Sequence, residues 1–280
     1  MVTYQTLYAE VTARFTAAGM EDAAFDARCI LEDIGGMPHG VLPPTTAVPS
    51  DRKTAVETAV SQRLQGRPLQ YILGEWDFLS LRLFVGEGVL IPRQDTEILC
   101  ETVAQALRDV NAPQLIDLCA GSGCIGLGVA SLLPCVTVTA VEKSPQAFAY
   151  LEKNIARYPA LNVTAIQGDI LTDHETFTDM YDAIISNPPY ISAEDLRGLM
   201  REVQNEPRMA LDGGADGLDF YRAICKYWVP KLKADGLCAV EIGFDQGEQV
   251  CCLFERTGLT DCRIVKDYGG NDRVVLGYRR

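Results

Sequence analysis

A chain of 280 residues, 48% hydrophobic and 22% charged, is long enough for one large buried core and a smaller domain beside it. Its formal net charge of −13 argues against nucleic acid as the main partner, because a face that grips phosphates presents clustered Lys and Arg. The ten cysteines fall among apolar runs without metal-ligand spacing, which suits reduced core thiols in a cytoplasmic protein, and neither a targeting peptide nor an apolar run of membrane-spanning length is expected.

Residues 1–66 read as a small helical bundle. Leu7, Val11 and Phe15 recur every four positions, and a second set, Ala24, Ala27, Ile30, Leu31 and Ile34, stops at Gly35-Gly36. A proline-rich loop from Pro38 to Pro49 precedes a third helix, which begins at a capping residue, Ser50 or Asp51, and ends at Gly66. The bundle carries no catalytic constellation; such an added helical domain is often where a large partner is recognised. Residues 67–95 read as a β-hairpin linker, with strand-like alternation in Tyr71-Ile-Leu-Gly74 and from Leu79 to Val85. An extended segment from Val89 then meets Pro92, Arg93, Asp95 and Glu97 before a helix of about 96–108, whose early acids suit the helix dipole.

From residue 114 strands and helices alternate, which predicts a mostly parallel sheet with helices on both faces. Strands are expected near 115–118, 136–141, 163–167, 183–186, 237–242, 261–266 and 273–277, with helices near 125–133, 145–156, 218–232 and 246–255. The last two strands have no helix between them and can pair antiparallel. Residues 96–280 thus read as an α/β, Rossmann-like domain around a seven-stranded sheet.

The run Asp117-Leu-Cys-Ala-Gly121-Ser-Gly123-Cys-Ile-Gly126 places a glycine turn between a strand and a helix, and Glu142 follows at the end of the next strand, where a carboxylate can take ribose hydroxyls. A dinucleotide would satisfy that much. Three details favour S-adenosyl-L-methionine. Asp117 can accept from an amino-acid ammonium, Asp169 ends the third strand where an adenine amine can donate, and the fourth strand ends in Asn187-Pro188-Pro189-Tyr190, where a bound methyl group would lie.

An amide or exocyclic amine nitrogen is a poor nucleophile because its lone pair is delocalised. Acceptors fixed around its two N–H bonds favour the pyramidal geometry that attack on a sulfonium methyl requires. The Asn187 side-chain oxygen and the Pro188 carbonyl can be those acceptors, Tyr190 offers a face for the planar group, and the two prolines stiffen the turn. No metal, strong base or covalent enzyme intermediate is required.

The Asn187–Tyr190 tetrapeptide resembles that of amino-methyltransferases acting on adenine N6, on guanine in ribosomal RNA and on glutamine side chains. Further segments are similar to the PrmC/HemK family: Pro68-Leu-Gln-Tyr71-Ile-Leu-Gly74, Leu90 to Glu97, Glu206 to Leu218, Glu241-Ile-Gly243-Phe-Asp-Gln246 and Asp272-Arg273-Val274. That resemblance implies a class I methyltransferase that methylates the N5 of the glutamine in the Gly-Gly-Gln motif of class I peptide chain release factors. An N6-adenine or other nucleic-acid methyltransferase is the alternative, and it would call for a basic cleft. By position, Cys119, Ala120, Gly121, Ser122 and Gly123 would surround the methionine part of the cofactor, Glu142 its ribose, and Asp169 with Ile170 its adenine. Asn187 would border both cofactor and substrate. Pro188, Pro189 and Tyr190 would complete the amide site, and Arg93 with Glu97 would lie at its entrance. Two departures stand out: Gln94 where the family usually has proline, and Cys119-Ala120 where glycine is common. The expected partner is a release factor, with no direct nucleic-acid or membrane contact, and a monomer is the simplest expectation.

Overall fold

The computed structural model describes residues 2–198 and 203–280. Residues up to Glu75, joined by 203–205, form one compact unit; those from Trp76 onward, apart from that short piece, form the other.

The first unit is helical: α1 (Tyr4–Ala17), α2 (Ala23–Cys29) running into a π-helical turn at Ile30–Ile34, α3 (Ser50–Leu64) and the short α4 (Leu69–Leu73). Thr3 caps α1, its hydroxyl accepting the Thr6 N–H at 3.2 Å. Leu7, Val11 and Phe15 line the inner face of α1 and are fully buried, as are Ile30, Leu31, Val56 and Val60. A buried ion pair ties α3 to α2, Arg63 Nε donating to Asp26 Oδ2 at 2.6 Å. Two expectations change here. Ser50 is the first helical residue and makes no capping bond, since Pro49 takes the position before it. Tyr71-Ile-Leu, expected as strand, is helical: Pro68 sets the backbone for a first turn, and Gly74, at φ +79°, donates its N–H to the Gln70 carbonyl and ends it. Three apolar residues in a row carry too little periodicity to separate the two states.

The second unit opens with a hairpin of β1 (Glu75–Phe78) and β2 (Leu81–Phe84), followed by α5 (Glu97–Ala106). The main sheet comprises β3 (Gln114–Leu118), β4 (Thr137–Glu142), β5 (Val163–Gln167), β6 (Tyr181–Ser186), β7 (Leu232–Glu241), β8 (Leu259–Lys266) and β9 (Asp272–Arg279). Their order is β5-β4-β3-β6-β7-β9-β8, parallel through β7, with β9 antiparallel to both of its neighbours. Helices α6 (Cys124–Leu132), α7 (Pro145–Arg157), α8 (Asp219–Ala223) and α9 (Gly247–Arg256) connect the strands.

Successive residues of a strand serve opposite cores. Leu115, Ala183 and Leu237 enter the one shared with α5 and α6, whereas Ile116, Ile184 and Val240 enter the one shared with Trp228 and α9. The polypeptide around 218–232, expected as one helix, is broken into α8, a π-helical turn at Ile224–Trp228 and a 3-10 turn at Val229–Lys231. Pro230 lacks the N–H a continuing helix needs, so β7 begins at Leu232. Helix α7 also secures the hairpin: Asn154 pairs with both backbone groups of Phe84, at 2.7 and 3.1 Å, and the Tyr158 hydroxyl does the same for Arg82, at 2.7 and 2.9 Å.

Candidate active site

A cavity of about 270 Å³ opens at the carboxyl ends of the parallel strands, where the chain reverses away from the first strand in both directions across the sheet. Its floor is the loop from β3 to α6. Cys119 leaves β3 at φ +61°, an uncommon conformation for a residue with a side chain, and Gly121 follows at φ +57°. The Gly121 N–H donates at 2.8 Å to Glu142 Oε2, while Glu142 Oε1 accepts the Ser144 N–H at 2.7 Å, so the carboxylate at the end of β4 is held against the loop. Burial raises the pKa of Glu142, and these backbone donors oppose the rise.

Beyond β5, Asp169 accepts the Leu171 N–H at 2.9 Å and pairs with Lys143 at 2.8 Å. The neighbouring Ile170 is fixed by its carbonyl, which accepts the buried Trp228 indole N–H at 2.9 Å. Cys119, Ala120, Gly121, Ser122, Glu142, Asp169 and Ile170 therefore share one wall of the cavity.

On the other side, β6 delivers Asn187. Ser186, the last strand residue, donates to the Leu118 carbonyl at 2.6 Å and fixes where the turn leaves the sheet. Asn187 and Pro189 line the cavity, Pro188 sits between them in the chain, and the Tyr190 ring packs on the core instead of offering its face to the cavity. The Tyr190 phenol is kept neutral by burial, which pushes its pKa well above the usual value. Its carbonyl accepts Gln246 Nε2 at 3.0 Å, and the chain beyond pairs Ile191 with Leu211 and Gly213 at 2.9 Å each. At Gly213 an added Cβ would come within 2.7 Å of Tyr190 Cα and 2.9 Å of the Pro189 carbonyl, and at Gly217 it would strike the Tyr190 carbonyl. Only glycine admits this approach.

Besides Pro188 and Tyr190, three further expected site residues are not part of the lining. Asp117 does not reach the cavity: it is fully buried on the core side of β3, where Oδ2 accepts the Gly126 N–H at 2.9 Å. Burial pushes its carboxyl up to about 8. Glu97 turns towards the hairpin, where it accepts the Leu79 N–H at 2.7 Å, a bond that serves a turn residue held at φ +51°. Gly123 precedes the first turn of α6 without lining the cavity. Arg93 does line it, with its guanidinium paired to the buried Glu206, whose other oxygen accepts the Ile91 N–H at 3.0 Å.

Sequence reasoning gave no site role to Thr96, Arg208, Met209 or Phe220, all of which line the cavity. The segment from Glu206 carries part of the family resemblance, and the pairing of the Glu206 carboxyl with Arg93 holds it at the rim. The polar lining offers the acceptors Glu142, Asp169 and Asn187, beside Arg93, Lys143 and Arg208, each already paired to a carboxylate, between apolar walls that include Val141, Ile170 and Phe220. That donor–acceptor balance fits S-adenosyl-L-methionine, whose ammonium, ribose hydroxyls and adenine amine all donate.

Comparison with known proteins agrees with this geometry. Residues 93–214 match the Methyltransferase small domain and residues 6–74 the PrmC N-terminal domain. The chain is 45% identical to the release factor glutamine methyltransferase of Geobacter sulfurreducens, over 78% of this chain and 75% of that protein. With the release factor glutamine methyltransferase of Moorella thermoacetica it is 36% identical over 100% of this chain and 99% of that protein. A T. thermophilus 16S rRNA N2 G1207 methyltransferase, solved with AdoMet and guanosine, superposes with a TM-score of 0.52 at 18% identity, over 74% of this chain and 50% of that one, and so shares the fold. The chain thus belongs to the release factor glutamine methyltransferase family and is an S-adenosyl-L-methionine-dependent methyltransferase.

Proposed function

We propose that this enzyme methylates the side-chain amide nitrogen, N5, of the glutamine in the Gly-Gly-Gln motif of class I peptide chain release factors. The observation that carries the reading is the Asn187–Tyr190 turn, clamped from behind by Gly213, Gly217 and Gln246 so that Asn187 faces the cavity. Among the described residues no backbone donor engages the Pro188 carbonyl, which suits it to a substrate N–H. The ten free thiols suit a reducing compartment such as the cytoplasm, where a release factor would be met.

Bound S-adenosyl-L-methionine supplies a methyl group made electrophilic by its sulfonium. Asn187 Oδ1 and the Pro188 carbonyl accept the two N–H bonds of the substrate amide and draw the nitrogen out of conjugation. With the cofactor bound, the nitrogen lone pair would form the bond to the methyl carbon as the carbon–sulfur bond breaks, its electrons remaining on sulfur. One N–H proton leaves to solvent, so no strong base is needed. Glu142 and Asp169 would hold the cofactor's ribose and adenine before this step; Asp117 acts from beneath, fixing the start of α6 under the loop. Rigid acceptors spend no reorganisation energy at the moment of transfer.

The test is incubation of the full chain with labelled S-adenosyl-L-methionine and purified release factor, with a Gln→Asn release factor and total RNA in parallel. Label in the native release factor alone is expected, and label in RNA alone would overturn the reading. Asn187→Ala should lower kcat about 100-fold or more while cofactor affinity stays within about twofold, whereas Glu142→Ala should weaken cofactor binding about tenfold or more.

A further inference from the structure

Glu241 ends β7 directly beside the turn. β6 and β7 run parallel with Ser186 opposite Val240, so Asn187 and Glu241 leave neighbouring strands at the same level. Glu241 is 2% exposed, the Thr96 hydroxyl lies near enough to its carboxyl to favour the charged form, and Oε2 has no hydrogen-bond partner among the described residues. Thr96 is itself buried and held by its N–H, which donates to the Arg93 carbonyl at 3.1 Å. Its Oγ1 lies 3.5 Å from Asn187 Nδ2, at the outer edge of hydrogen bonding, a kind of contact that tightens when a site is loaded.

We propose that Thr96 and Glu241 are positioning residues that decide which way the Asn187 carboxamide faces, an inference that rests on the methyl-transfer reading above and deepens it. A hydroxyl has one proton to give. An ionised Glu241 can only accept, so the Thr96 proton goes to it, and the Thr96 lone pairs remain for Asn187 Nδ2. That leaves Asn187 Oδ1 on the cavity side, where an acceptor is required. Protonated Glu241 reverses the chain: it donates to Thr96, the Thr96 proton turns towards Asn187, and that side of the carboxamide now favours oxygen. The amide group would then meet the substrate NH2 with hydrogens of its own.

The charged and titratable groups around Glu241 are Arg93 and Asp95 from the segment before α5, Arg273 from β9, Tyr190 from the turn, Tyr221 from α8, and the Cys100 and Cys124 thiols. Arg273 is already shared between Asp95 at 3.2 Å and Asp267 at 3.0 Å, so it offsets burial only in part. Burial lifts Glu241 to about 7, which sets the reversal near neutral pH.

The experiment measures steady-state methyl transfer to the release factor, cofactor binding by calorimetry and thermal unfolding for the wild type, Thr96→Val, Thr96→Ser and Glu241→Gln. Thr96→Val keeps the shape and removes the relay; kcat should fall about tenfold or more, with cofactor Kd within about twofold. Thr96→Ser should restore kcat to within about twofold of the wild type. Wild-type kcat should rise as pH passes about 7, and Glu241→Gln, which cannot ionise, should lose that acid limb. Folded Thr96→Val with wild-type kcat, or Glu241→Gln retaining the limb, would overturn the inference while leaving methyl transfer intact. A wild type that fails to methylate the release factor would overturn both.

Discussion

Cys119 is a residue where composition and backbone disagree. At φ +61° its Cβ crowds the backbone, at a cost of about 1–2 kcal/mol that glycine avoids. Replacing Cys119 by glycine should therefore stabilise the protein by about 0.5–1 kcal/mol, after the entropy glycine loses on folding. Equilibrium urea unfolding reads this, and a lower midpoint would mean that the buried thiol contributes more by packing than it costs in strain. The departure from glycine was visible in the sequence; the strain was not, because no side chain reports its own φ. Asn187 and Glu142 were legible for a different reason, since each is a polar residue placed directly after an apolar strand. Thr96 and Glu241 escaped, because their meeting depends on the registers of β6 and β7 and on the entry to α5, which no local pattern encodes.

Among the elements, strands read most reliably. Their apolar runs are short, and glycine or proline bounds most of them, so six of the seven strands of the main sheet lie within about two residues of where the sequence put them, and β7 starts five residues early, at Leu232. The departures have local causes: Pro68 and Gly74 frame a single helical turn, and Pro230 cuts a helix that periodicity alone would continue. Asp117 and Glu97 show the same limit, since a carboxylate at a strand or helix end can serve a backbone N–H as readily as a ligand. In the helical unit, the Asp26–Arg63 pair joins α2 to α3 with both side chains no more than 7% exposed. Removing one partner leaves a buried charge, so Asp26→Ala should destabilise by about 3–5 kcal/mol, whereas the Asp26→Leu, Arg63→Met double variant should cost much less. Chemical denaturation of the three proteins checks this, and equal losses in both variants would show that the pair matters through packing alone.

At the scale of the molecule, alternation of strands and helices foretold a parallel sheet but not the order that seats β3 inside it with β4 on one side and β6 on the other. That order gathers Glu142, Asp169 and Asn187 at one edge. It also buries two carboxyls, Asp117 at about 8 and Glu241 at about 7, both raised by desolvation. A raised folded-state pKa favours the protonated form, so this contribution is complete below about pH 4 and is lost as pH climbs through about 7–8. The melting temperature should accordingly fall between about pH 5 and pH 9, and Asp117→Asn should show a shallower decline. An unchanged slope in that variant would place the loss in other groups. The clamp on the acceptor turn has a last consequence, in time rather than in space. Gly213, Gly217 and Gln246, which hold Tyr190, follow it in the chain by more than twenty residues. A polypeptide emerging from the ribosome presents the Gly121 loop and Glu142 before the residues of the clamp. Along the chain, then, most of the donor cradle is encoded ahead of the groups that hold the acceptor turn.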